Sequence, residues 1–126
     1  VTCAVLDTDS QPVALPPTQI IPKTSDFFDY KAKYTPGASE EITPAKFPQK
    51  TIKKIQGISL KAHKILECSG LSRADMIVSD DDIYILETNT IPGMTQTSLY
   101  PQAASKIGLS FEVLLDKIIE RALKKL

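Results

Sequence analysis

Apolar residues recur at helical spacing in three stretches. In residues 48–69, Ile52, Ile55, Ile58, Ala62, Ile65 and Leu66 line one side, and Lys50, Lys53, Lys54, Lys61 and Lys64 line the other. Pro48 suits the first turn of this helix, and Gly70 a stop just past its end. Gly57 inside it costs about 1 kcal/mol against alanine, and the pattern gives no reason for it. In residues 111–125, Phe111, Leu114, Leu115, Ile118, Ile119, Ala122 and Leu123 form a wide apolar face. Ser110 is placed to cap that helix, with Glu112 in its first turn and Lys124 and Lys125 in its last, as the helix dipole favours. A shorter helix is predicted over residues 99–107, with the hydroxyls of Thr95, Thr97 and Ser98 ahead of it.

Other stretches read as strands. Residues 2–7 form one, and residues 13–21 a second that Pro16 and Pro17 interrupt, marking an edge strand or a bulge; the two make a hairpin. Residues 72–78 and the run from Ile83 form another hairpin, with Asp80, Asp81 and Asp82 as a three-residue loop. That loop pairs Ser79 with Ile83, and so sets Asp75 opposite Glu87 and Arg73 opposite Asn89. Side chains two apart share a face, so these four polar groups point one way. Ala74, Met76, Val78, Tyr84 and Leu86 then point into the core. Two carboxylates facing each other across a ladder repel by roughly 0.2–1 kcal/mol when solvated. Either of two arrangements offsets this. A hard divalent cation takes both acids and the Asn89 oxygen as ligands, or Asp75 pairs with Arg73 or a lysine at a wet sheet edge. Between the hairpins, residues 23–47 are polar and rich in Thr, Pro and Ser. A loop of that length is usually functional or disordered.

A chain of 126 residues fits one domain with a modest core. Its 42% hydrophobic and 24% charged residues are ordinary for a soluble globular protein. The formal net charge of zero gives no reason to expect a nucleic-acid or anionic-membrane partner. No apolar run is long enough to span a bilayer, and residues 1–6 lack the basic start of a signal peptide, so a cytoplasmic location is expected. Val1 falls inside a strand-like run, as expected of a piece of a longer protein. Cys3 and Cys68 are far apart in sequence and read as reduced small hydrophobes. His63 reads as a surface or half-buried helix residue.

The polar cluster extends into a longer signature. Arg73-Ala74-Asp75, then Glu87-Thr88-Asn89-Thr90-Ile91-Pro92-Gly93-Met94-Thr95, then Ser98-Leu99, resembles the C-terminal part of the D-alanine–D-alanine ligase family, within the ATP-grasp superfamily. The resemblance implies an α+β fold: a mostly antiparallel sheet with helices on one face, forming the C-terminal lobe of an ATP-grasp domain over residues 1–126. The N-terminal substrate domain and the central ATP-binding lobe would lie outside this chain. Asp29-Tyr30-Lys31-Ala32-Lys33-Tyr34 resembles the family's mobile active-site loop, placed here over residues 23–47.

The resemblance also implies the chemistry. ATP and two D-alanines give D-alanyl-D-alanine through an acyl phosphate, for peptidoglycan and cell-wall synthesis. Asp75, Glu87 and Asn89 would hold two Mg²⁺ ions, with Mn²⁺ as a substitute, and Glu87 would bridge them. Arg73 and the Gly93 N–H would stabilise the tetrahedral oxyanion, and glycine at 93 allows close backbone approach and a positive φ. Lys33 would neutralise the γ-phosphate and Tyr34 would shape the second-substrate pocket. Ser98 and Leu99 would hold the carboxylate of the second D-alanine. The parent would be a homodimer through regions outside this chain, and the chain alone would be inactive. Two other readings stay open: a related ligase making D-alanyl-D-lactate or D-alanyl-D-serine, against which the Lys33-Tyr34 pair argues, and a non-catalytic metal- or partner-binding fragment.

Overall fold

The computed structural model describes residues 1–23, 39–80 and 82–124. The described elements run β1 (Thr2–Asp7), β2 (Pro12–Ala14), β3 (Gln19–Pro22), β4 (Ser39–Ile42), α1 (Gln49–Ile65), β5 (Leu71–Ser79), β6 (Asp82–Asn89), α2 (Leu99–Ser105) and α3 (Phe111–Leu123). The fold is α+β, and the strand pairings are antiparallel. One sheet has the order β2-β1-β5-β6, and β3 with β4 makes a separate two-stranded ribbon.

Proline chemistry explains the second sheet. Pro16 and Pro17 cannot donate to a ladder, so the stretch expected as one strand over 13–21 divides into β2 and β3. β2 stays paired with β1, and after the prolines an isolated bridge between Thr2 and Thr18 touches β1 again. β3 instead pairs with β4, Gln19 opposite Ile42. Residues 39–42, which fall in the stretch expected to be loop over 23–47, are therefore strand.

β1 is buried along its whole length. Cys3 packs with Ile55 of α1 and with Ala74 and Met76 of β5. Ala4 and Leu6 pack with Leu15, with Tyr100, Ala103 and Ala104 of α2, and with Leu114 of α3. Neighbouring strand residues point to opposite faces, so α1 covers one face and α2 with α3 the other. The expected placing of all helices on one face is refined accordingly. Fully burying a side chain such as Ile55 or Leu114 contributes about 1.5–3 kcal/mol. Tyr100 is also fully buried, and its hydroxyl donates to the Val5 carbonyl at 2.7 Å. Burial, with the charge of Asp7 next, pushes its pKa well above the usual tyrosine range.

The buried stripe of α1 differs from the expected one. Ile55, Ser59 and His63 are inside, whereas Ile65 and Leu66 are exposed at the end of the helix. The helix stops at Ile65, before the expected 69, and Glu67 takes a left-handed φ of 52°. His63 is 1% exposed, not a surface residue. Its Nδ1 meets Ser72 Oγ at 2.7 Å and its Nε2 meets Asp7 Oδ1 at 3.1 Å. Ser59 donates to the Ile55 carbonyl at 3.0 Å. A polar residue can sit on a buried stripe when its partners arrive from other elements, and periodicity alone does not reveal them.

In α3 the Ser110 hydroxyl accepts from the Val113 N–H at 3.2 Å, as its capping position predicts. Leu114 is buried, while Ile119 and Leu123 are 57% and 62% exposed, so the apolar face in use is narrower than the expected one. Both cysteines are free thiols, and burial pushes Cys3 up to about 11. That thiol is protonated and inert at neutral pH.

Candidate active site

The β5–β6 ladder carries the polar cluster. Ser79 pairs with Asp82, Val78 with Ile83 and Met76 with Ile85. The loop is thus two residues long, one shorter than expected, and Asp80 enters it at a φ of 52°, a conformation that Asp tolerates better than most residues. A shift of register follows between Asp75 and Met76, after which Asp75 pairs with Glu87, Ala74 with Thr88 and Arg73 with Asn89. The extra residue on β6 is Leu86. The short turn moves the ladder by one residue and the bulge moves it back. The expected acid-to-acid pairing is present, reached by a different route.

The same shift changes which residues face the core. Ile83, opposite Val78, packs against the cluster around Ile55, whereas Tyr84 and Leu86 are 55% and 62% exposed and do not enter the core as expected. Ala74 and Met76 are buried on the α1 face. Arg73 pairs with Ala4, and Asp75 with Thr2, on the opposite face. Arg73, Asp75, Glu87 and Asn89 therefore share the face that α2 and α3 cover further along β1.

Arg73 and Asp75 form a two-pronged ion pair, Nε to Oδ1 and Nη2 to Oδ2, both at 3.0 Å. Their side chains are 12% and 21% exposed, so the pair is charge-assisted and partly desolvated. The pairing leaves the second N–H of Nη2 and both of Nη1 for other groups. Thr2 Oγ1 also donates to Asp75 Oδ1, at 2.7 Å. Of the two arrangements expected to offset the facing acids, the pairing of Asp75 with Arg73 is present, made on the face that Asp75 shares with Glu87.

Asn89 ends β6. Its Oδ1 accepts from the Ile91 N–H at 3.0 Å, an Asx turn that aims the chain into Pro92 and Gly93. A carbonyl oxygen has two lone pairs, and this bond uses one. Pro92 is buried, Gly93 is exposed, and Met94 packs against the Tyr100 cluster. Gly93 does not have the positive φ expected for it; the described glycines that do are Gly70 and Gly108. Close approach is its reason instead: a Cβ there would lie 3.3 Å from Ser98 Oγ. Ser98 precedes α2 without a side-chain cap bond. Its Oγ accepts from the Thr95 N–H at 3.0 Å and lies 2.7 Å from Thr95 Oγ1, so it folds the turn rather than capping the helix. Leu99 opens α2 and is half-buried.

Lys33 and Tyr34 lie outside the described residues. β4, which follows that segment, is tied to α2: Gln102 Nε2 donates to Glu41 Oε2 at 3.2 Å, and also to the Thr97 carbonyl ahead of the helix at 2.8 Å.

Asp75, Glu87 and Asn89 offer only oxygen ligands on one face, which fits a hard divalent cation. Among the described residues no group of three or more His, Cys, Asp or Glu side chains could enclose a metal. Two carboxylates and an amide are too few for a closed cage, but they suit Mg²⁺, which keeps waters and shares phosphate oxygens.

Thr2 was not legible as part of this cluster, because the β1–β5 pairing joins residues some seventy positions apart. The buried Asp7, His63 and Ser72 were missed for the same reason. No helix among the described residues is long and apolar enough to cross a membrane.

The model of a family described as "D-ala D-ala ligase C-terminus" matches residues 1–120. A D-alanine–D-alanine ligase of Syntrophobacter fumaroxidans is 61% identical over 112 residues, covering 88% of this chain and 36% of that protein. One from Leptospira interrogans is 45% identical over 129 residues, covering 99% and 36%. The crystal structure of the Bacillus anthracis ligase complexed with ATP matches with a TM-score of 0.78 at 38% identity, covering 98% of this chain and 39% of that one. VanG D-Ala:D-Ser ligase from Enterococcus faecalis matches at 0.75 and 39% identity, covering 94% and 34%. The chain spans a little over a third of the length of the curated relatives it matches.

Proposed function

This chain belongs to the D-alanine–D-alanine ligase C-terminal family, and from that premise we propose that it is the segment of an ATP-dependent D-alanine–D-alanine ligase that holds the metal-nucleotide and stabilises the transition state. The observation that carries the reading is the convergence of Arg73, Asp75, Glu87 and Asn89 on one face of β5–β6, beside the Pro92–Gly93 turn. The reaction consumes ATP, activates the carboxylate of one D-alanine as an acyl phosphate, and joins it to the amine of a second.

Asp75, Glu87 and Asn89 would hold two magnesium ions, with Glu87 placed between the other two. When bound, the ions neutralise charge on the β- and γ-phosphates. Phosphoryl transfer of this kind is mostly positioning and charge neutralisation. The ladder supplies the positioning: two neighbouring strands fix the acids before any ligand arrives, and the Asx turn fixes Asn89. Arg73 is aimed by its pairing with Asp75, and its remaining N–H donors together with the Gly93 N–H serve the oxyanion of the tetrahedral intermediate. Ser98 and Leu99, where the turn enters α2, serve the carboxylate of the second D-alanine. The segment carrying Lys33 and Tyr34 acts as a lid, Lys33 on the γ-phosphate and Tyr34 in the second-substrate pocket. The tie between Glu41 and Gln102 supports this, because it anchors one root of that segment beside α2. The whole protein is a cytoplasmic homodimer acting in peptidoglycan synthesis, and the 126-residue chain by itself forms no dipeptide.

The D-Ala:D-Ser ligase among the structural matches keeps a second product in view. Product analysis on the full-length ligase, with ATP and D-alanine alone or with D-serine or D-lactate added, decides the matter. D-alanyl-D-alanine is expected to dominate at neutral pH. Predominant D-alanyl-D-serine or D-alanyl-D-lactate would overturn the dipeptide assignment.

A further inference from the structure

One buried hydroxyl beside the metal ligands has no role in this scheme. Thr2 is 3% exposed. Its Oγ1 lies 2.7 Å from Asp75 Oδ1 and 3.3 Å from the Ala74 carbonyl. The hydroxyl has one hydrogen, and the shorter, charge-assisted contact takes it. Thr2 itself is firmly held. Its N–H and carbonyl bond Thr18 at 2.9 and 2.8 Å, it pairs with Asp75 across the β1–β5 ladder, and a β-branched side chain is stiff at χ1.

Asp75 Oδ1 is thereby gripped by two donors of different character. Arg73 Nε sits at the end of a long side chain on the same strand. The Thr2 hydroxyl comes from the buried central strand and has little freedom to follow a moving guanidinium. We propose that Thr2 is a positioning residue: its hydroxyl fixes the Asp75 carboxylate in the orientation from which it acts with Glu87 and Asn89 on the metal-nucleotide. Thr2 touches neither metal nor substrate, and acts through Asp75. The inference rests on the metal-nucleotide reading given above, and the test separates the two.

Full-length ligase is compared as parent, Thr2→Val, Thr2→Ser and Asp75→Asn. Mn²⁺ affinity in the presence of a non-hydrolysable ATP analogue is read by electron paramagnetic resonance. kcat and KM for ATP are read alongside, and folding by circular dichroism. Loss of a hydrogen-bond partner behind a metal ligand typically weakens affinity 10–100-fold. Thr2→Val is expected to weaken Mn²⁺ binding about tenfold and to raise KM for ATP, while Thr2→Ser restores both. If Thr2→Val does not fold, Thr2→Ala replaces it under the same expectation. Unchanged Mn²⁺ affinity in the hydroxyl-free variant, with Asp75→Asn weakened, overturns the role of Thr2 and leaves the metal site standing. Equal losses in Thr2→Val and Thr2→Ser overturn it too, by assigning the effect to packing. Unchanged affinity in Asp75→Asn overturns the metal reading itself.

Discussion

At the scale of single residues, the site joins two demands on one carboxylate. Asp75 orients Arg73 and, in the function proposed above, would also serve as a metal ligand, and both depend on its oxygens being held still. Gly93 shows a second kind of constraint, a side chain crowded by a neighbour's hydroxyl, with no positive φ involved. Gly57 shows the reverse. It sits within α1, a Cβ there meets nothing within 4 Å, and nothing in the structure explains it. Gly57→Ala is therefore expected to stabilise the protein by about 0.5–1 kcal/mol, since alanine loses less backbone freedom in a helix. Urea unfolding of the two forms measures this, and a lower midpoint for the variant would show that the glycine has a function.

At the scale of elements, the sequence carried most of what repeats at short range. The three helices, the cap at Ser110 and the β5–β6 hairpin with its opposed acids were all readable from periodicity and turn chemistry. The parts that were not readable depend on partners far away in the chain. A two-residue loop followed by a bulge at Leu86 and a three-residue loop without one end in the same acid pairing, so the acids gave no sign of the difference. The residues between loop and bulge did differ, which is why Ile83 and not Tyr84 reaches the core. His63 was misplaced because its spacing matches the buried stripe while its chemistry suggests water. The partners that make its burial tolerable, Asp7 on β1 and Ser72 on β5, are 56 and 9 residues away. The split of residues 13–21 into two sheets was half visible, in Pro16 and Pro17, but the pairing of β3 with β4 lies across the segment of residues 24–38.

At the scale of the whole molecule, Asp7 connects the elements behind the site. Its carboxylate meets His63 Nε2 of α1 at 3.1 Å and Arg121 Nε of α3 at 3.4 Å, and accepts from the Gly70 N–H ahead of β5 at 2.8 Å. Burial by itself would raise its pKa, but the Gly70 hydrogen bond, His63 and Arg121 outweigh it and hold the carboxyl below its usual range. The folded state then binds this proton less readily than the unfolded state. Lowering the pH therefore favours unfolding. The contribution is complete above about pH 4, where an unfolded aspartate is ionised, and is lost as pH falls through the folded value. Asp7→Asn is expected to be less stable at neutral pH and to show a flatter loss of stability from about pH 4 downward, measured by urea unfolding across that range. An acid limb as steep as the parent's would assign acid sensitivity elsewhere. The claim on which the function rests is that β5 and β6 bring two acids and an amide together for a magnesium-nucleotide. Calorimetric titration of full-length ligase and its Glu87→Gln variant with ATP, with and without Mg²⁺, tests it most directly. The account predicts at least about tenfold weaker binding in the variant when Mg²⁺ is present, a loss typical of a disturbed metal site, and similar binding when Mg²⁺ is absent; equal Mg²⁺-dependent affinity in the two forms would contradict it.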